Sequence, residues 1–215
     1  MDMMKTGTLI DNKGVSLIEL LIVLVIVGIL AGFGVPEYMR YVSKSKVRSA
    51  ATELMQNMRM TRTMAIKENR TYLITLDPSQ NEYMIGVDLS SPENGSLADA
   101  VDVYGPPDTT APNDQGGPVR VIDVQDKHGD NIVLGQANFS INPPNGPNGV
   151  VISSQSTFSF MPDSSSSPNG MIYFQEINRG YTFCVELANT AGKTNLFMWQ
   201  GDANNTGVTT WTELR

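Results

Sequence analysis

Few side chains in this 215-residue chain have the types and spacing that chemistry requires. His128 is the only histidine and sits in Asp126-Lys-His-Gly-Asp130, which reads as a turn. It is therefore expected as an exposed loop residue, not as a member of a Ser-His-Asp triad or a metal cage. Cys184 is the only cysteine, so it closes no intrachain disulfide, and a lone thiol without a CxxC or Cys/His cluster reads as a small buried hydrophobe. No GxSxG, P-loop, HExxH or GxGxxG motif occurs, and no pair of carboxylates has an evident reason for a raised pKa. Catalytic residues, cofactors and a resident metal are accordingly not expected. The nearest approach to a ligand site is the stretch 202–213. Asp202, Asn204 and Thr206 put oxygens at places one, three and five, Gly207 stands at six and Glu213 at twelve, as in a calcium loop, but the flanks read as strand instead of helix. Glu19 is of another kind: a carboxylate inside an apolar run. At the centre of a bilayer such a group costs about 2.5 to 3.5 kcal/mol, so it is usually functional or paired with a cation.

The element that holds Glu19 comprises residues 15–35, with no other charge among them. At about 1.5 Å per helical residue this run spans roughly 30 Å, the thickness of a bilayer's hydrocarbon core. A secretory signal peptide is the rival reading, but Ala31-Gly-Phe-Gly34 is a poor cleavage site and the helical pattern does not stop there. Val47, Ala51, Leu54, Met58, Thr61 and Ala65 recur at spacings of three and four, with Arg and Lys on other faces. Residues 15 to about 67 thus read as one helix of roughly 80 Å: a membrane-spanning part over 15–35 and an amphipathic part over 36–70. Gly28, Gly32, Gly34 and Pro36 interrupt the first part. The Gly28-x-x-x-Gly32 spacing permits close helix approach, and Pro36 is expected to kink the helix.

The formal net charge of −7 conceals a division. Residues 15–70 carry eight Lys or Arg against four Glu, a net +4, whereas residues 71–215 carry five basic and sixteen acidic residues, a net −11. A basic stalk thus precedes an acidic body, and an acidic body argues against nucleic acid as a partner, because binding phosphates needs a concentrated basic face.

Lys13-Gly14-Val15-Ser16-Leu17-Ile18-Glu19-Leu20 and the apolar run after it resemble the class III signal of type IV pilins and type II secretion pseudopilins. The resemblance implies that residues 1–14 are a leader that a prepilin peptidase removes between Gly14 and Val15, and that the new N-terminal Val15 is N-methylated. Val departs mildly from the commoner Phe or Met at that position. The resemblance also implies that Glu19, fifth in the mature chain, pairs with the N-terminal amine of a neighbouring subunit. Gly28 and Pro36 fall at the family's helix-breaking positions. A plain count of Lys and Arg around the span points the other way. Lys5 and Lys13 precede it while Arg40, Lys44, Lys46 and Arg48 follow it, which favours the leader outside. The family requires the leader inside, and the motif is the more specific signal.

From Tyr72 the periodicity changes. Residues 72–76 and 82–87 flank the Pro and Asn turn at 77–81, and further β-rich runs follow at 119–124, 132–134, 150–152, 158–160, 171–174, 181–187, 195–200 and 208–214. Many short strands divided by turns predict antiparallel sheets in a sandwich. Loops rich in Gly, Pro, Ser and Asn at 88–118, 142–149 and 162–170 are expected to be exposed, the first being long enough for an interaction loop. Ala65-Ile-Lys-Glu-Asn69 before a hairpin, Phe158-Ser-Phe-Met-Pro162 with Gly170-Met-Ile-Tyr-Phe174, and Gly192-Lys-Thr194 between the last strands resemble the GspH/FimT-type pseudopilin domain. That resemblance implies a Greek-key body over 71–215 packed on the amphipathic half of the helix. The family's DNA-binding members carry basic residues near the C-terminus. Here only Lys193 and Arg215 follow Arg179, which disfavours DNA uptake.

The fold expected is α+β, a long N-terminal helix packed on an antiparallel sandwich-like body. The function the resemblance implies is that of a minor pseudopilin, a structural subunit and not an enzyme. It is made in the bacterial inner membrane with its body in the periplasm, and is assembled into a pseudopilus that drives protein export. Its partners would be the prepilin peptidase, other pseudopilins or pilins, the inner-membrane assembly platform and, before assembly, membrane lipid. The alternatives are a minor type IV pilin that primes fibre assembly, and a single-pass anchored β domain that binds a periplasmic ligand without assembling.

Overall fold

The computed structural model describes residues 14–88, 120–136, 141, 144 and 156–214. One α-helix, α1 (Leu17–Glu68), runs for 52 residues and passes Pro36 without leaving the helical state. Two compact units divide the chain, one up to Tyr41 and one from Val42 onward. Within the second unit α1 buries the predicted stripe Val47, Ala51, Leu54, Met58, Thr61 and Ala65, together with Ala50 and Asn57. Their spacing of three and four residues is that of one helix face. The helix ends where Asn69 takes a positive φ of 54°, which asparagine tolerates better than most residues.

Two five-stranded antiparallel sheets follow. The first has the order β3 (Arg120–Asp123), β2 (Glu82–Val87), β1 (Tyr72–Asp77), β5 (Ser156–Phe160), β6 (Ser166–Ser167). The second has the order β10 (Trp211–Leu214), β9 (Thr194–Trp199), β8 (Thr182–Leu187), β7 (Gly170–Glu176), β4 (Ile132–Leu134). The chain changes sheet after β3, β4 and β6, so neither sheet forms from one continuous stretch.

The stripe of α1 and one face of each sheet enclose a single core, with Ile74, Tyr83 and Phe158 from the first sheet and Ile172, Phe174, Phe183 and Val185 from the second. Strand alternation then puts Met171, Tyr173 and Cys184 on the opposite face of the second sheet, where Phe197 and Trp211 cover them. Cys184 is fully buried, as its solitary occurrence suggested, and burial pushes its thiol well above the ordinary range.

Asn81 joins the sheets. At φ 57° it ends the turn between β1 and β2, its side-chain nitrogen donates to Ile132 O at 3.0 Å, and its side-chain oxygen accepts from Leu134 N at 2.5 Å. Gly192 in the turn between β8 and β9 has a φ of 70°, a backbone conformation that disfavours other residues, and a Cβ there would lie 2.9 Å from Arg62 Cδ, so the arginine side chain would also have to shift.

Two sequence expectations change. The run 119–124 was expected as strand throughout, but the strand stops at Asp123 and a short helix, α2 (Val124–His128), begins. The Asp123 carboxylate caps it by accepting from the N–H groups of Gln125 and Asp126. The stretch 162–170, expected as an exposed loop, contains β6. Ser166 is buried there, its N–H donating to Thr190 O at 2.6 Å and its hydroxyl to Asn189 O at 3.1 Å. The segment 150–152, the loop 142–149 apart from Pro144, and the loop 88–118 apart from Asp88 lie outside the described residues.

Candidate functional site

Gly14, Val15 and Ser16 precede α1, and the first turn of α1 carries Glu19. The first turn of an α-helix is where the macrodipole interacts favourably with an acidic side chain. Beyond it the helix is apolar on every side. An eighteen-residue window reaches a mean hydropathy of 2.8 and none of it is buried in this chain. Helices of globular bodies hide such surface, so this one is suited to lipid or to like helices. Gly28 and Gly32 lie one turn apart, and a Cβ built at either meets no atom within 4 Å. The same is true of Gly34. A neighbouring helix could approach the backbone closely along the face that Gly28 and Gly32 share.

A second constellation lies in the body, and sequence reading placed none of it. Glu53 on α1 accepts from Lys127 Nζ, lies 3.0 Å from His128 Nε2 through its other oxygen, and stands 3.6 Å from Arg120 Nη2. His128 is thus not the exposed loop residue expected. It ends α2, and its side chain is only 9% exposed because Glu53 draws it onto α1. Burial, the largest single influence, would raise the Glu53 carboxyl, but hydrogen bonds from Lys127 and His128 and their positive charges together hold it below its ordinary 4.5. One turn further along α1, Asn57 Nδ2 donates to Tyr83 Oη at 2.8 Å inside the core, and burial raises the Tyr83 phenol far above its usual range.

The sign of the Glu53 effect is definite. A carboxyl held lower in the folded than in the unfolded state stabilises the fold fully above its unfolded value, and that contribution is lost as pH falls through the lower folded value. Glu53→Gln is therefore expected to cost about 1 to 2 kcal/mol near neutral pH, with the difference from the parent shrinking toward pH 3. Urea unfolding of the full chain in neutral detergent at both pH values measures this, and an equal difference at both would contradict it.

Asp202 Oδ1 accepts the Asn204 N–H at 2.9 Å, and Glu213 stands on β10 opposite Phe197. Among the described residues no group of three His, Cys, Asp or Glu side chains is placed to hold a metal ion.

Comparison with known proteins gives two family matches. The prokaryotic N-terminal methylation motif covers residues 11–35, and the family described as type II transport protein GspH covers residues 50–191. Among curated proteins, a fimbrial protein of Pseudomonas aeruginosa is 34% identical over 85 residues, 40% of this chain and 54% of that protein. The type IV major alpha-pilin of Moraxella bovis is 32% identical over 97 residues, 44% of this chain and 60% of that protein. Among solved structures, the minor pseudopilin EpsH from the type 2 secretion system of Vibrio cholerae aligns with TM-score 0.41 at 8% identity, covering 70% of this chain and 95% of that one. The type IV minor pilin FimU of Pseudomonas aeruginosa aligns with TM-score 0.44 at 16% identity, covering 73% and 91%. The GspH match begins in the buried stripe of α1 and continues through β8, so it takes in the helix face and most of both sheets, and the chain belongs to the GspH family of type II transport proteins.

Proposed function

We propose that this chain is a minor pseudopilin of a type II protein secretion system. It would be inserted in the inner membrane with its body in the periplasm, cut by prepilin peptidase after Gly14, N-methylated on Val15, and then drawn into a short filament. The observation that carries this reading is the junction, on one chain, of a methylation motif at 11–35 with a helix whose apolar half is wholly unburied. Leaving the bilayer, residues 15–35 would exchange lipid contacts for a core of like helices, with Gly28 and Gly32 allowing close approach and Pro36 adjusting the helix path. Glu19 would then need a cation, and the freed amine of a neighbouring Val15 supplies one. The reading makes the body a structural and interaction module facing outward, with no catalytic role. Partial identity to a fimbrial protein and to a type IV major alpha-pilin supports the second reading, a minor pilin that primes fibre assembly, and both readings share the same processing step.

The test is the mass of the N-terminal peptide. The parent is expected to begin at N-methylated Val15. A bulky residue at position 14, as in Gly14→Leu, is expected to leave a precursor about 14 residues longer in place of the mature chain. Equal mature mass in parent and variant would overturn the reading.

A further inference from the structure

A groove of about 670 Å³ runs between α1 and strand β3. Its floor is a stripe of small and polar residues, Ser45, Ser49, Thr52 and Gln56, spaced four, three and four apart beside the buried stripe of the same helix. Arg48 and Arg120 flank it. Glu53 also lines it, but that carboxylate is already engaged by Lys127, His128 and Arg120, and Arg48 forms no ion pair among the described residues. The charged residues lining the groove are therefore Arg48, Arg120 and the already engaged Glu53, so the charge it offers to a ligand is positive.

The wall of the groove is a sheet edge. β3 is hydrogen-bonded to β2 on one side and, among the described residues, to no strand on the other. Ile122 faces the core, so Arg120, two residues away, shares the face turned to α1. A strand laid beside β3 would therefore pass over the Ser45 to Gln56 stripe, whose short side chains leave room and whose hydroxyls can hydrogen-bond to it. An open edge is a template for pairing, and an extended segment that fills it gains main-chain hydrogen bonds while alternate side chains fall into the groove. Carboxylates in those alternate positions would meet Arg48 and Arg120.

We propose that this groove receives an extended acidic segment of a neighbouring pilin-like subunit as a sixth strand of the first sheet. The identity of the partner as such a subunit rests on the assembly reading above; the chemistry of the groove does not.

The probe is a fluorescent decapeptide of alternating Asp and Val, titrated into the full chain in neutral detergent and followed by anisotropy. Saturable binding at least tenfold tighter than that of the matching Lys and Val peptide is expected. Two variants should each weaken it at least tenfold: Arg48→Glu with Arg120→Glu, which reverses the charge, and Ser49→Trp, which fills the groove with a bulky side chain and leaves both arginines in place. Their melting curves verify that each remains folded. Of two peptides N-methylated on alternate amides, one in each frame, one should lose at least tenfold, because only one frame points its N–H groups at β3. Undiminished binding by both methylated peptides would overturn strand addition, and undiminished binding to both variants would overturn the location. Phosphatidylglycerol vesicles that bind through Arg48 and Arg120 while the peptide does not would make this face a lipid surface and overturn the proposal. The N-terminal mass is a separate readout, so a failure of the processing reading cannot be mistaken for a failure of the groove.

Discussion

Glu19→Leu is expected to reach the membrane in normal amount, to melt like the parent, and to co-purify with partner pseudopilins roughly a hundredfold less. The size follows from what the substitution leaves behind. In the assembled core of helices the Val15 amine would lie among apolar side chains, and removing one partner of a buried ion pair typically costs about 3 to 5 kcal/mol, because the other charge stays uncompensated. Every 1.4 kcal/mol is about tenfold in an equilibrium constant, so about 3 kcal/mol already exceeds a hundredfold. Insertion should not suffer, since leucine enters hydrocarbon more readily than glutamate. Glu19→Asp keeps the charge but draws it back by one methylene, and should recover part of the loss. Quantitative blotting of partners captured with the variant, normalised to its amount in the membrane, measures the effect. Capture equal to the parent would show that the carboxylate has no pairing role.

The Glu19 segment was legible because its signal is contiguous: a glycine, a carboxylate five places on and an unbroken apolar run need no tertiary partner to be recognised. The same holds for α1, whose stripe from Val47 to Ala65 is a local periodicity, and for strands such as β1 and β8 that are rich in β-branched and aromatic residues. What escaped was made by distance. His128 looked like a turn residue because Glu53, the group that fixes it, lies 75 positions earlier. β6 consists of two serines and carries no apolar signal; its pairing with Phe160 and Ser159 holds it in the sheet. α2 has five residues, too few for a periodicity, and only the capping Asp123 marked its start. The groove beside β3 combines a helix face with Arg120, which stands 64 positions after Gln56 in the sequence, and its polar stripe read simply as the solvent side of an amphipathic helix.

Leu54→Ala tests the other half of α1 and should have the largest effect on stability. Leu54 is fully buried in the core that α1 shares with both sheets, alongside Met58 on the same helix face. Truncating such a leucine loses its transfer free energy and leaves a cavity, together about 3 to 4 kcal/mol. For a body of this size each kcal/mol is worth about 2 to 4 °C, so a fall in Tm of roughly 10 °C is expected. Leu54→Met keeps most of the volume and should cost less than about 1.5 kcal/mol. Leu24→Ala, the same change in the apolar half, alters a side chain that is 62% exposed in this chain, and should leave the melting of the body within about 0.5 kcal/mol of the parent. The two leucines separate the roles of one continuous helix. If α1 contributes its later turns to the core and its earlier turns to assembly, Leu54→Ala lowers Tm with the N-terminus still processed at Val15, whereas Glu19→Leu lowers partner capture with Tm unchanged. Calorimetry of the full chains in neutral detergent, read beside N-terminal mass, distinguishes these patterns. A Leu54→Ala protein that melts within a degree of the parent would mean that the buried stripe of α1 does not stabilise the body.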